Sequence, residues 1–519
     1  MSGSPTDRML VAAFSGHTLP DDVRSELRRH PPAGVTLFRH HNVDTPAQVR
    51  ALTDDLQRTR EDLPPLLVAV DQEGGQFLAL GDGSTPFAGN LALAATRDPV
   101  LAERVGSALA AEARACGADV VYAPVADVAL QHDAPTLGIR SFGDDPALVS
   151  EMTAAVVRGI ARAGAAATLK HFPGTGDLAV DPHHALGVVD GHRDRLDDVE
   201  LPPFRAGIAA GADVVMSAHV AVPALTGRDD LPATLSRAVM TDLLRVELGF
   251  AGVTITDALD MHALAQGDGQ VGSAVEALRA GVDLLLCGPD RADQARLRDG
   301  LARALQRGVL DARDLATSVE RVAALARRLV PVPRPDPDVV GCRSHRDLAA
   351  ELARAATTVV ADAGVLPVRD AARILAVMPA PRDLTPADTS STAPPALAAS
   401  LRARFAAVDE LVTAHPPTDA DVDEARTRAR TADVVVLGTI AATADPAQRG
   451  LLAELVATGT PVVHVALRGP HDLAGVDGVA ASIATYGLLR PSLDALAAVL
   501  AGAPAPGRLP VSLAGGRVP

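Results

Sequence analysis

The chain has no tryptophan, two tyrosines and nine phenylalanines, so aromatics make up only 2% of it. A ligand platform of stacked rings would be sparse, which argues against a module that merely grips long carbohydrate chains. Cysteine is nearly as scarce. Cys116, Cys287 and Cys342 stand far apart without a CxxC, which argues against a disulfide framework and a cysteine-built zinc site. Long apolar runs are missing too. No stretch approaches the ~18 uninterrupted apolar residues of a membrane span. Residues 1–20 lack the basic start and apolar run of a signal peptide. The expectation is a cytoplasmic protein with no membrane partner. Positive charge is in deficit, with Lys+Arg 48 against Asp+Glu 64 and a net charge of −16. No nucleic-acid partner is expected, because that affinity comes mainly from neutralising phosphates.

Apolar residues, in contrast, are plentiful: 48% of the chain, with a mean hydropathy of +0.16. That suffices for large buried cores. The length allows three domains at ~150 residues each, or two if one is a barrel of ~250 or more. Eight short runs at 9–14, 34–38, 66–70, 119–123, 166–169, 213–217, 252–256 and 283–287 are rich in Val, Ile and Leu. They do not strictly alternate, as expected of strands buried on both faces. Several helix-like segments between them open at Asp, Thr or Ser beside Pro and close at Gly. Eight β/α units within residues 1–329 predict a (β/α)8 barrel. A doubly wound open sheet is the competing arrangement.

Residues 330–338 read VPVPRPDPD. So many prolines fit neither a helix interior nor a central strand, and 330–345 is expected to be a semi-rigid linker. Residues 346–519 read as a smaller α/β sandwich. Its expected helix spans 346–361 and its strands 374–377, 433–437 and 461–465, with surface loops at 385–395 and 416–421.

Barrel chemistry sits at the C-terminal ends of the strands. Five consecutive predicted strands end in polar groups: Asp71 in VDQEGG, Asp127 in APVADV, Lys170 and His171 in LKHFPGTGD, His219 in MSAHV and Asp257 in ITDALDM. Each alone could be a helix cap or a loop ion pair. Their concentration at one end marks a candidate site. The densest stretch, KHFPGTGDLAVDPHH at 170–184, holds three histidines, two aspartates and a lysine. Gly174 and Gly176 permit a mobile or strained loop, and no dinucleotide fingerprint follows.

Three readings of this stretch stay open. It is a solvated polar loop, or a metal site built from His171, Asp177, Asp181, His183 and His184, or a proton-transfer device. No HExxH or carboxylate-rich zinc pattern supports the metal. In the third reading Asp181 and His183 flank Pro182, whose fixed φ stiffens the pair. A carboxylate on one ring nitrogen orients an imidazole and stabilises its cation. The other nitrogen then donates or accepts a proton near neutral pH. Asp257 would be the ionised partner that attacks or stabilises an oxocarbenium-like carbon. Lys170 and His171 could hold hydroxyls and keep Asp257 ionised.

These motifs resemble glycoside hydrolase family 3, in its β-N-acetylhexosaminidase branch. The matching segments include GVTLFRH (34–40), VDQEGG (70–75), IRSFGDDP (139–146), LKHFPGTGDLAVDPHH (169–184), DVVMSAHV (213–220) and LRVELGFAGVTITDALDM (244–261). From 348 to 368 the chain resembles, more weakly, the start of that family's C-terminal sandwich. The resemblance implies a retaining mechanism with Asp257 as nucleophile and Asp181–His183 as acid/base pair. It implies that Asp71, Arg140, Lys170 and His171 bind sugar, that Asp127 and His219 support them, and that neither metal nor organic cofactor is needed. The family's β-glucosidases lack the loop dyad and take a Glu from the second domain. This chain departs from the family at Gln76 and Ala79, where arginines are common, at Thr175, where His is frequent, and in DPH for DSH. Losing two guanidinium groups removes bidentate donors near Asp71.

The implied protein is a retaining exo-β-N-acetylglucosaminidase, a monomer or homodimer. Its partner is a small GlcNAc-containing glycoside, either a peptidoglycan fragment or a chitooligosaccharide. A phosphorylase using the same residues is the alternative within the chemistry. A catalytically inactive sugar-binding or regulatory protein is the alternative outside it.

Overall fold

The structure is a computed structural model that describes residues 4–60, 63–131, 137–178, 185–385 and 388–513. Each of the eight apolar runs forms a strand: β1 Leu10–Ala12, β2 Gly34–Leu37, β3 Leu67–Val70, β4 Val120–Val121, β5 Ala166–Phe172, β6 Val214–Ser217, β7 Val253–Thr256 and β8 Leu285–Leu286. Their order is β7-β6-β5-β4-β3-β2-β1-β8. Every pairing is parallel, and a parallel bridge from Ile255 to Leu284 joins the two ends into a barrel. The open sheet is thereby excluded.

The lack of alternation has its cause in the packing. Leu67, Ala69, Val214, Met216, Val253 and Ile255 share one core cluster inside the barrel. Val68, Val70, Val121 and Val215 join the cluster outside it. Helices α1 Pro46–Arg58, α2 Pro99–Ala115 and α3 Pro146–Arg162 each begin at a capped X-Pro step. Asp98 Oδ1 accepts from the Val100 and Leu101 amides at 2.9 and 3.0 Å, a cap worth about 1 kcal/mol. Helix α4, Ala312–Leu329, adds Val322, Leu325 and Leu329 to the inner cluster. Its Ser318 and Arg321 bond Asp283, and its Arg328 bonds Asp213. Those aspartates precede β8 and β6, so α4 closes the N-terminal end and leaves the C-terminal mouth open.

Helix α5, Arg343–Ala356, leads into a second sheet. Its strands are β9 Thr358–Asp362, β10 Arg373–Pro379, β11 Ala407–Thr413, β12 Val434–Thr439, β13 Val462–Ala466 and β14 Ala481–Ala484. The order is β9-β14-β13-β12-β10-β11, parallel except for β9 at one edge. Leu348, Leu352, Ala466, Tyr486 and Val511 belong to the same core cluster as the outer barrel residues. The sandwich is therefore seated on the barrel through shared apolar packing.

Three expectations for this half need correction. The helix expected to 361 stops at Ala356, because Thr357 to Val360 is a β-branched run that favours the pleated sheet. Strands β11 and β14 went unread. The segment 385–395 is a surface loop only in its second half: Ser391, Thr392, Pro394 and Pro395 are exposed, but Thr385, Asp388, Thr389 and Ser390 are buried. Asp388, Thr389 and Ser390 are internal because their side chains find partners, Asp388 pairing with Arg468. In 416–421, Thr418 and Asp421 form a capping box that opens helix α6, Asp419–Ala429.

Candidate active site

Strands β3, β5 and β7 deliver their polar ends to one mouth. Lys170 lies within β5, is 2% exposed, and sits with Nζ 2.7 Å from Asp71 and 2.6 Å from Glu73. Arg140 completes the group with a two-pronged contact to Glu73, both bonds at 2.9 Å. Its guanidinium also lies over the Phe77 ring at 4.1 Å. Burial pushes the Glu73 carboxyl up, but Arg140 and Lys170 outweigh it and hold the group at about 2. Burial lowers Lys170 and Arg140 in turn. The acids outweigh this, Asp71 chiefly for Lys170 and Glu73 for Arg140, and both cations end raised. Two acids and two bases thus form a neutral quartet with Asp71 at its edge.

His171 turns the other way. Its Nδ1 donates to Asp127 at 2.8 Å, and its Nε2 lies 3.5 Å from an Arg140 nitrogen that can only donate. Buried Asp127 also accepts from the Thr175 amide at 2.8 Å and so pins the glycine loop. Gly176 is obligatory there, since a Cβ would fall 1.6 Å from the Val128 carbonyl oxygen. Asp177 is committed to Arg195 at 2.6 Å and Gln131 at 3.1 Å. Asp181, His183 and His184 lie outside the described residues. So does the arrangement of the acid/base pair and of the metal set that includes them.

Asp257 follows β7. Its amide donates to Ser217 O at 3.0 Å, and its Oδ1 accepts from the Ala258 amide at 2.8 Å. Its own chain thus aims the carboxylate. His219 is buried beneath, its Nε2 donating to Ala258 O at 3.2 Å and its Nδ1 2.8 Å from Thr234 Oγ1. Burial lowers its pKa despite the Asp257 charge, so it stays a neutral brace. Tyr122 lies at the barrel floor, bonded to Thr36 at 2.9 Å. Burial raises its phenol, and the charges of Asp71 and Asp257 push in the same direction. Asp71 after β3 and Ala258 and Asp260 after β7 line one cavity, which brings the ends of the two strands to a common centre.

Beside Asp71 opens a cavity of about 390 Å³, lined in part by Phe38, His40, Ala79, Asp260, Met261 and Thr389. That is the size range of small-molecule sites. Ala79 contributes only a methyl group to the cavity wall. Gln76 is buried, and its carbonyl accepts from Thr389 of the second domain.

Residues 9–325 match the model of the Glycosyl hydrolase family 3 N terminal domain. The chain belongs to glycoside hydrolase family 3. Beta-hexosaminidase A of Pseudoalteromonas piscicida is 36% identical over 387 residues, 69% of this chain and 64% of that protein. The chain thus aligns with just under two thirds of that relative's length. A beta-hexosaminidase of Stenotrophomonas maltophilia (strain K279a) is 40% identical over 55% of this chain and 85% of its own. Among solved structures, a glycoside hydrolase family 3 beta-N-acetylglucosaminidase from Paenibacillus sp. str. FPU-7 superposes with a TM-score of 0.93. It is 34% identical, and the match covers 98% of both chains, so both domains are shared.

In this family 3 hydrolase, sequence reasoning named Asp71, Arg140, Lys170, His171 and Asp257 as candidates but passed over Glu73, two residues beyond Asp71. Glu73 is the hub on which both cations converge. Its removal by Glu73→Gln leaves Lys170 and Arg140 adjacent and undercompensated. Breaking a buried ion group in this way costs about 3–5 kcal/mol. The variant is expected to melt well below the parent in a thermal scan, and a parental midpoint would refute the hub role. The pH sign follows. A carboxyl lowered from 4.5 to about 2 stabilises the fold above its ordinary value, and that contribution fades only as pH falls from 4.5 toward 2.

Proposed function

We propose that this chain is a retaining exo-β-N-acetylglucosaminidase acting on small glycosides, such as peptidoglycan fragments or chitooligosaccharides, in the cytoplasm. The observation that carries the reading is the neutral quartet at the barrel mouth, with Asp257 directly after β7 and bonded to the amide of Ala258, which lines the same cavity as Asp71. Such a quartet is suited to sugar hydroxyls: Asp71 accepts, while Lys170 and Arg140 donate, with no net charge to repel a neutral pyranose. The beta-hexosaminidase names of the relatives support the acetamido sugar. All three cysteines are free thiols, which fits a reducing compartment. Among the described residues, no helix is long and apolar enough to cross a membrane.

The chemistry has two displacements. The Asp257 carboxylate attacks the anomeric carbon while the His183 imidazolium, braced by Asp181, gives its proton to the leaving oxygen. The C–O bond breaks, a glycosyl ester forms on Asp257, and His183 is left neutral. Water then loses a proton to His183 as its oxygen replaces Asp257, which restores both groups. Asp71, Arg140, Lys170 and His171 hold the sugar through this exchange.

The deciding assay offers an aryl β-N-acetylglucosaminide with and without phosphate, beside the matching β-glucoside. We expect free N-acetylglucosamine in both buffers and a preference for the acetamido sugar of at least ~10-fold, of the order one well-placed polar contact supplies. Release of the sugar 1-phosphate would instead make the enzyme a phosphorylase. Binding without turnover would make it a sensor.

A further inference from the structure

The sandwich domain reaches the substrate cavity through residues 388–390. Asp388 is fully buried, and both its oxygens accept from Arg468 Nη2, at 3.1 and 2.8 Å. They also accept from the amides of Leu384 at 3.1 Å and Ser390 at 2.9 Å. Arg468 is itself buried and bonds Ser390 Oγ as well. This ion pair lies wholly within the second domain. What it holds in place is the residue between its partners, Thr389.

Thr389 grips the barrel with its amide and its hydroxyl, while its carbonyl accepts from Thr392 of its own domain. Its amide donates to Gln76 O at 2.8 Å. Its hydroxyl donates to the same carbonyl at 3.0 Å and accepts from the Leu78 amide at 3.3 Å. Gln76 and Leu78 belong to a small hairpin, Gln72–Gly74 paired with Phe77–Leu78, that carries Glu73 and hangs directly from Asp71. The Ala79 amide returns to Asp71 O at 3.2 Å. A second bond runs to the next barrel loop: His40 Nε2 donates to Asp388 O at 3.0 Å. His40, Asp71 and Thr389 line the same cavity. Two of the barrel's loops are thus tied at the pocket by one turn of the other domain.

We propose that Thr389 is a positioning residue for substrate binding, with the Arg468–Asp388 pair as its support, so that the second domain sets where Asp71 and His40 meet the sugar. An isolated two-stranded hairpin is marginal by itself, and here the strands are two and three residues long. Its position, and that of the carboxylates it carries, must come from outside. Arg140 and Lys170 supply part of that constraint at Glu73, and Thr389 supplies it at the far end of the hairpin from Asp71. The inference rests on the sugar-binding reading of Asp71. Neither Thr389 nor Arg468 touches Asp257, so the effect belongs in binding and not in bond cleavage.

The test compares full-length Thr389→Val, Thr389→Ser and parent. Valine keeps the shape and loses the hydroxyl, whereas serine keeps the hydroxyl. With an aryl β-N-acetylglucosaminide we expect Thr389→Val to raise KM about tenfold with kcat within about threefold, as loss of ground-state positioning predicts. Thr389→Ser should stay near the parent. Hydrogen exchange across 72–78 should quicken in the valine variant alone. Unchanged KM in Thr389→Val, or equal loss in both variants with a lowered melting point, overturns the proposal. Should the parent itself fail to turn over the glycoside, the activity reading falls first. The exchange arm then decides the latch, and unchanged protection of 72–78 overturns it.

Discussion

Asp257→Asn is expected to lower kcat by ~10³-fold or more, about 4 kcal/mol of transition-state stabilisation, while sugar binding stays within a few-fold. The argument is geometric. The carboxylate accepts a hydrogen bond from the Ala258 amide at 2.8 Å, and an asparagine carbonyl can accept the same bond. The local turn therefore survives, and the nucleophilic charge is lost. His219 below donates to a backbone carbonyl and not to the carboxylate, so it does not depend on that charge for its place. Two further measurements separate a nucleophile from a merely structural acid. In the parent, the first-formed sugar should keep the β configuration by NMR, and a slow substrate should leave an N-acetylhexosaminyl mass on the peptide containing Asp257. In Asp257→Gly, azide should restore part of the turnover and give the α-azide, because one displacement inverts where two retain. An α product from the parent would remove Asp257 from the role. So would a sugar adduct elsewhere.

The barrel was legible because its strands are buried on both faces. Such strands cannot alternate, and helices that must start between them carry Asp-Pro and Thr-Pro steps that advertise their ends. The polar strand ends were legible for a related reason, since Lys170 and His171 are anomalous in an otherwise apolar run. Glu73 escaped because VDQEGG reads as an ordinary acidic turn. Nothing local says that Arg140 and Lys170 converge on it from 67 and 97 positions away. The turn at 388–390 escaped for a stronger reason. TPADTSSTAPP has the composition of a solvated loop, and the burial of its residues 388–390 depends on Arg468, which is 80 positions distant from Asp388, and on Leu78, which is 311 distant from Thr389. Composition predicts exposure only until a partner is supplied. The same holds for β9, whose Thr-Val-Val start was overrun by the preceding helical pattern.

One signal in the composition bears directly on the site. Of the 48 Lys and Arg residues, Lys170 is the only lysine. Arginine serves at every other cationic position in the chain, including the buried ones such as Arg114 and Arg468. A lone lysine at the centre of the quartet points to a requirement that arginine does not meet. The structure supplies it. Nζ must touch Asp71 at 2.7 Å and Glu73 at 2.6 Å from one point, which a compact ammonium does and a planar fork does not. Glu73 is already held by the fork of Arg140, so a second guanidinium would compete for the same oxygens. Lys170→Arg keeps the charge of the quartet unchanged, and any loss therefore reports geometry. We expect the variant to fold, with kcat/KM lower by ~10²-fold or more, the scale of a misplaced positioning group. The loss should fall mainly in KM, as for Thr389→Val, since Asp71 holds the sugar alike in the ground and transition states. Lys170→Met should do worse, leaving Asp71 and Glu73 with one cation between them and lowering the melting point as well. If Lys170→Arg matched the parent in kcat/KM, the ammonium would be replaceable, and the lone lysine would be an accident of composition.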